Sequence, residues 1–287
     1  DLHLVGEYHE HEVKKNLTSE PRVSLAFDVH VISPKKVDED GAKRWENTGQ
    51  TKNWIHVQRD SKPNFTQTLH ETEYEGMPIT VKKDSQNTWL DFGKPGLAQT
   101  IIDNQNPTKL YYPYVQQLCE VIHRVTLRRS ILVLGLGGGV IPSWFSKNTK
   151  CTDIDVVDIN PELESIAKEI FHMPESINVI IDDAFEWIHK GDKQYDIIVL
   201  DLAGGDGNTT ATFTDTFYKG IQNRLTTRGT LAINYHTYEN TPTHAKHLEQ
   251  LSKIFNHVDN VGNHATKNCI TYCSNHKPDH DTHTTKL

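Results

Sequence analysis

The sequence lacks several features that mark whole classes of protein. No apolar run in its 287 residues approaches the length of about 20 residues that a membrane-spanning helix needs. It has only 4 cysteines, which do not make a disulfide scaffold, and no CxxC or Cys/His spacing indicates zinc. We therefore predict a chain without a membrane partner, a disulfide framework or a metal site.

An excess of positive charge is also missing. Lys and Arg number 30 against 38 Asp and Glu, which gives a formal net charge of −8 at pH 7. Binding to nucleic acid through its phosphates needs clustered positive charge, so this balance does not favour a nucleic-acid partner. The charged and hydrophobic fractions, 24% and 36%, are ordinary for a globular domain.

The strongest signal in the chain lies between Ser130 and Asp158. A short apolar run at Ile131–Leu134 predicts a buried strand, and the glycine-rich turn GLGGG follows it. Apolar residues at helical spacing come next, and a second apolar strand ends in Asp158. Strand, glycine turn, helix, strand and acid follow each other as in the nucleotide-binding half of a doubly wound sheet. We interpret Asp158 as a carboxylate for ribose hydroxyls; the alternative is a glycine turn that binds nothing.

Strands and helices continue to alternate towards the C-terminus, which favours an α/β fold with a parallel sheet. Two last strands, near 257–261 and 269–273, predict a terminal antiparallel hairpin. The first hundred residues are more polar and indicate a small β-rich region. We expect its strands at residues 23–32, 54–57, 79–81, 88–92 and 97–102.

Four sequence blocks narrow this interpretation: LGLGGGVIP, VDINPELESIAKEIF, IDDAFEWI and YDIIVLDLAGG. In this order and spacing they resemble the spermidine synthase superfamily, most closely its spermidine-synthase-like methyltransferase branch. The resemblance runs from about Leu110 to Tyr238. It implies a Rossmann-like class I methyltransferase fold over residues 109–275, preceded by a β-rich N-terminal region over 1–108. The polar residues 276–287 are expected to form a disordered tail.

The resemblance implies S-adenosylmethionine, or its decarboxylated form, as the cofactor. The glycine turn would lie under the methionine part, and Asp183 with Ala184 beside the adenine, although Asp183 also suits a helix N-cap. Tyr111, Tyr112 and Gln116 would approach the ligand, or the tyrosines would pack on the β-region. The expected cofactor-binding residues are Gly135, Gly137, Gly139, Asp158, Asp183, Ala184 and Asp201. The catalytic candidates are Asp201 and Asp206.

Two positions depart from the aminopropyltransferases of this superfamily. Gly138 and Gly204 stand where those enzymes carry aspartates that hold and deprotonate the amine, so putrescine and spermidine are not expected as acceptors. Asn234 ends the fifth strand, as an asparagine often does in the methyltransferase branch. The first interpretation is therefore a methyltransferase of unknown acceptor. The alternatives are a polyamine aminopropyltransferase and a non-catalytic binding protein on the same fold.

The acceptor is expected to be a small molecule or a protein, and a homodimer stays open. The chain begins at Asp1 and carries glycosylation sequons at Asn16, Asn64 and Asn208. We expect a secreted protein if a signal peptide was removed before Asp1, and a cytoplasmic one otherwise.

Overall fold

A computed structural model describes residues 34–37, 43–45, 66–93, 98–202, 213–261 and 268–277. The chain divides into two compact units, residues 1–60 and 61–287. In the first unit, strands β1 (Pro34–Val37) and β2 (Lys43–Trp45) pair antiparallel. The strands expected at 23–32 and 54–57 lie outside the described residues.

The second unit begins with a four-stranded antiparallel sheet in the order β3-β4-β5-β6. Three of its strands confirm those expected near 79–81, 88–92 and 97–102. The first strand falls in a segment whose sequence gives no clear strand signal, because most of its side chains are exposed at the sheet edge. The strands are β3 (Gln67–Tyr74), β4 (Met77–Lys83), β5 (Asn87–Phe92) and β6 (Ala98–Asp103).

A seven-stranded sheet follows, in the order β12-β13-β11-β10-β7-β8-β9. Five strands run parallel, and β13 pairs antiparallel with both β11 and β12. This confirms the Rossmann-like α/β fold with its terminal antiparallel hairpin. The strands are β7 (Ser130–Leu134), β8 (Asp153–Asp158), β9 (Asn178–Ile181), β10 (Tyr195–Leu200), β11 (Leu225–His236), β12 (His257–Asn260) and β13 (Asn268–Ser274).

The first helix after the four-stranded sheet begins at Pro113, because proline suits the first helical turn, and it tightens into a 3-10 helix at Glu120–Arg124. Among the described helices, none is both long and apolar enough to cross a membrane. The helices are α1 (Pro113–Cys119), α2 (Val140–Asn148), α3 (Glu162–Glu169), α4 (Ala184–Trp187), α5 (Asp215–Arg224) and α6 (Pro242–Ser252).

The core has two layers, one on each face of the seven-stranded sheet. Ile131 and Val133 of β7 belong to a layer that also includes Ile79 and Leu90 of the four-stranded sheet. Leu132 and its neighbours on the other face pack against α4, α5 and α6. The two sheets of the second unit therefore share one hydrophobic core. The domain boundary expected at residue 108 and the disordered tail stay predictions.

Candidate functional site

The candidate site lies at the carboxyl ends of the parallel strands. Strand β7 stands between β10 and β8, so the connections leave it in opposite directions at this point of the sheet. Ligands of open α/β sheets bind in the crevice at such a point. Gly135 follows β7, Asp182 follows β9 and Asp201 follows β10, while Asp158 closes β8.

The glycine turn after β7 requires glycine at two positions for different reasons. Gly135 has φ +102°, and a Cβ there would stand 2.3 Å from the carbonyl oxygen of Asp201. Gly139 has φ +71° and caps α2, where a Cβ would stand 2.7 Å from the sulfur of Met173. Larger residues would push the turn away from β10 and α3, so the glycines set how closely the strand ends meet.

Asp158 is fixed by the turn that it faces. One carboxylate oxygen accepts the backbone N–H of Leu136 at 2.7 Å, and the other accepts that of Asn160 at 2.9 Å. Burial raises the pKa of Asp158, and these N–H donors offset part of that rise. The acid is therefore oriented before any ligand arrives, and its remaining lone pairs can accept hydroxyl protons.

Asp183 is the N-cap of α4, which confirms one of the two roles expected for it. Its carboxylate accepts the N–H of Phe185 at 2.8 Å. The neighbouring Asp182 accepts the N–H of Asp183 and pairs with Lys190 at 2.6 Å. Ala184 is buried at the start of the helix. The adenine contact expected for Asp183 and Ala184 stays a prediction.

Asp201 and Asn234 form a polar pair at the ends of β10 and β11. The side-chain amide of Asn234 donates to Asp201 at 2.8 Å, and burial raises the pKa of Asp201. The amide oxygen of Asn234, Oδ1, is buried without a hydrogen-bond partner in the described part of the chain. No described cation pairs with Asp201. The site therefore presents hydrogen-bond acceptors without matching donors.

The other expected residues either lie outside the described part of the chain or make contacts elsewhere. Asp206 and Gly204 lie outside the described residues. The Tyr112 hydroxyl donates to Ala98 of β6 at 2.7 Å, and burial raises its pKa to about 12. Gln116 donates to the carbonyl of Leu110 at 2.9 Å, and Tyr111 is exposed. Tyr112 thus packs on the β-region, which is the structural alternative that its sequence position left open.

Three residues near the site carry no functional signal in the sequence. Tyr114 and Cys119 of α1 are close enough to Asp201 for its charge to raise the pKa of each, after the larger effect of burial. Their spacing indicates only a buried helix face. Thr100 of β6 accepts the N–H of Gly138 at 2.9 Å. A contact between two sheets far apart in sequence leaves no local pattern.

The residues present fit an adenosyl ligand. The glycine turn brings backbone close to the crevice, and Asp158 presents a carboxylate with spare lone pairs beside it. The unpartnered Oδ1 of Asn234 adds a buried acceptor that lacks a donor. In the described part of the chain, no group of three metal-ligating side chains comes together.

Comparisons with known proteins agree with this arrangement. The chain is 25% identical over 162 residues to the polyamine aminopropyltransferase of Neisseria meningitidis serogroup A. The aligned segment covers 55% of this chain and 61% of the relative. It is 32% identical over 127 residues to the N-terminal histidine N-methyltransferase of Emericella nidulans. Here the aligned segment covers 42% of this chain and 22% of the relative. The chain therefore spans less than two thirds of the length of these relatives.

A solved structure and a family match complete the comparison. The crystal structure of a probable spermidine synthase from Corynebacterium glutamicum shares the fold, with a TM-score of 0.64 at 18% identity over 75% of this chain and 83% of that chain. Residues 117–276, more than half of the sequence, match the family described as spermine/spermidine synthase domain. This chain is a member of the spermine/spermidine synthase family.

Proposed function

We propose that the chain binds a sulfonium nucleoside of the S-adenosylmethionine type and transfers an alkyl group from it to a nitrogen acceptor. The observation that carries this proposal is the pair of Asp201 and Asn234. A half-buried carboxylate without a described cation lies beside a buried amide oxygen without a donor. Two such acceptors at the ligand edge of the sheet favour a partner that brings N–H groups.

The glycine turn and Asp158 would hold the donor. Asp158 already accepts two backbone N–H groups, so its carboxylate is held in place to accept ribose hydroxyls. The turn lets the backbone approach the chain that leads to the sulfur. When bound, the donor supplies a carbon made electrophilic by the adjacent sulfonium.

Asp201 and Asn234 would hold the acceptor. An amine must lose a proton to attack carbon, and a carboxylate with a raised pKa is a stronger base than an ordinary one. Asn234 would orient the same amine through its free oxygen, since its side-chain N–H is already used by Asp201. In-line alignment of the nucleophile then supplies most of the remaining rate enhancement.

Aminopropyl transfer is the form of the reaction that the relatives favour. The Neisseria relative is named a polyamine aminopropyltransferase, and the family itself is named for spermine and spermidine synthases. This supports decarboxylated S-adenosylmethionine as the donor and an amine as the acceptor. The expectation that putrescine and spermidine are not acceptors stays a prediction, which the same assay tests.

Methyl transfer is the second candidate, and one observation favours it. A Cβ at Gly138 would stand 2.7 Å from the Thr100 methyl group and 3.1 Å from the ring of Phe171. The glycine turn therefore has no room for an acidic side chain at this position, although an aminopropyl ammonium would gain from one. S-adenosylmethionine carries a carboxylate next to its ammonium, so it depends less on an acidic side chain and fits the turn as it stands.

The test incubates the protein with either donor and an amine panel: putrescine, spermidine and a peptide with a free N-terminus. Mass spectrometry would identify which group is transferred and to which acceptor. Asp201→Asn, which keeps the shape and the bond from Asn234, should abolish transfer while donor binding persists. If the donor binds but neither group moves, the proposal is wrong and the chain is a non-catalytic binding protein.

A further inference from the structure

Thr100 of the four-stranded sheet reaches into the glycine turn of the seven-stranded sheet. Its hydroxyl oxygen accepts the N–H of Gly138 at 2.9 Å, and the residue is only 8% exposed. A Cβ at Gly137 would stand 3.1 Å from the same oxygen. One threonine therefore covers two consecutive glycines of the turn.

The proton of this hydroxyl has no acceptor among the described residues. A threonine hydroxyl offers one proton and two lone pairs, and Gly138 uses one lone pair. Accepting that bond polarises the O–H and makes it a better donor. A buried donor without an acceptor costs free energy, so the arrangement points to an acceptor that a ligand supplies.

Most backbone donors of the turn are already used within the fold. The N–H of Gly135 donates to Val157 at 2.9 Å, and that of Gly139 donates to Leu136 at 2.8 Å. The N–H of Leu136 donates to Asp158. The turn is therefore not an open cradle for an anion, and the Thr100 hydroxyl is the side-chain donor that lies over it.

The turn also carries no acidic side chain, and the crowding of Gly138 by Thr100 and Phe171 leaves no room for one. A carboxylate at the end of a donor would accept the Thr100 proton in a charge-assisted hydrogen bond. A donor whose chain ends in an ammonium alone has no use for that proton. The two forms of the donor should therefore differ in affinity.

We propose that Thr100 is a specificity-determining residue that donates to the carboxylate of the donor's amino-acid end. The site would then prefer the carboxylated donor over its decarboxylated form. This inference rests on the methyl-transfer form of the proposed function, because it assumes that the amino-acid end of the donor lies over the glycine turn. It argues against the decarboxylated donor that aminopropyl transfer needs.

The test is calorimetric titration with three nucleosides that differ only at this end. S-adenosylhomocysteine carries the carboxylate, its decarboxylated form lacks it, and methylthioadenosine lacks the whole amino-acid end. Thr100→Val keeps the shape but loses the hydroxyl, and it should weaken S-adenosylhomocysteine binding about tenfold. The affinity for the other two nucleosides should stay the same. Thr100→Ser keeps the hydroxyl and should behave as the wild type.

The outcomes separate this inference from the proposed function. If Thr100→Val weakens all three nucleosides equally, Thr100 only supports the turn and the inference is overturned. The inference is also overturned if the wild type binds S-adenosylhomocysteine and its decarboxylated form equally well. If the wild type binds none of the three, the proposed function itself fails. Methylthioadenosine binding to Thr100→Val reports that this variant is folded.

Discussion

Aspartates have different partners at the amino ends and at the carboxyl ends of the parallel strands. We call these the amino edge and the carboxyl edge of the seven-stranded sheet. At the amino edge, Asp155 accepts hydrogen bonds from Lys193 and Tyr195, both at 2.6 Å, and from Asn178 at 2.8 Å. These bonds lower its pKa, although burial alone would raise it. Asp196 has the same pattern with Arg129. Acids at this edge are neutralised by partners that the chain itself supplies.

At the carboxyl edge, Asp158 and Asp201 have no described cation as a partner, and burial raises the pKa of each. Asp182, which pairs with Lys190 at this edge, is the more exposed exception. Folding gains nothing from leaving an acid half-buried without a counter-ion. The acids of the amino edge therefore have partners that stabilise the fold, while Asp158 and Asp201 lack a described counter-ion, as the proposed ligand-binding role requires.

Removing the best-paired acid should have the largest effect. Asp155→Ala leaves the buried hydroxyl of Tyr195 without its acceptor and removes the bonds from Lys193 and Asn178, so we expect a loss of about 3 kcal/mol in unfolding free energy. Urea denaturation measures it. Binding of S-adenosylhomocysteine by the folded fraction should not change. A loss below about 1 kcal/mol, the value typical of exposed pairs, would remove the contrast between the two edges.

The matching change at the carboxyl edge should act on binding. Asp158→Ala removes the expected acceptor for the ribose hydroxyls, which contributes about 1.5–3 kcal/mol and so at least about tenfold in affinity. Calorimetry with S-adenosylhomocysteine measures it. Asp158→Asn, which keeps one oxygen for the N–H of Leu136, is the control for damage to the turn. Unchanged affinity in both variants would exclude Asp158 from the site.

Asp201→Asn should stabilise the protein while it abolishes transfer. The pKa of Asp201 is raised in the folded state, so the stability that its protonated form gives is lost as pH rises through that pKa. Asparagine never ionises, so above about pH 4, the usual carboxyl pKa, the variant should gain over the wild type. We expect a melting temperature roughly 2–4 °C higher at neutral pH, the shift that about 1 kcal/mol produces.

The pH dependence of the two edges should have opposite signs. Asp155 has a lowered pKa, so its stabilisation is present above the ordinary carboxyl pKa and is lost as pH falls through the folded value. Thermal melting of the wild type, Asp155→Asn and Asp201→Asn from about pH 2 to about pH 8 compares them, because the change at Asp155 falls below about pH 4 and the change at Asp201 falls above it. An Asp201→Asn variant that is less stable than the wild type at neutral pH would contradict the account.

The smallest effect should come from the exposed acid of the amino edge. Asp153 also pairs with Lys193 at 2.6 Å, but both side chains are close to half exposed. Asp153→Asn should therefore cost less than about 0.5 kcal/mol in unfolding free energy, as exposed pairs do. It is the matched control for Asp155, because the two acids share one lysine. Equal losses at both positions would show that burial does not determine how much each ion pair contributes to the unfolding free energy.

The sequence predicted what depends on local pattern. Alternating strands and helices, the glycine turn with Asp158, and the capping role of Asp183 all follow from residues close together in the chain. Three features escaped it: the exposed strand β3, the contact of Thr100 with Gly138, and the pairing of Asp155 with Lys193. The last two join residues 38 positions apart across strands or sheets. Periodicity within one element carries no information on which strands lie side by side.

The most direct test of the account is calorimetric titration of the wild type with S-adenosylmethionine and S-adenosylhomocysteine. The account predicts saturable binding of one nucleoside per chain, weakened by Asp158→Ala and unchanged by Asp153→Asn. The absence of binding at about 1 mM nucleoside, which corresponds to a binding free energy weaker than about −4 kcal/mol, would contradict it. The unpaired acids of the carboxyl edge would then not belong to a nucleoside site.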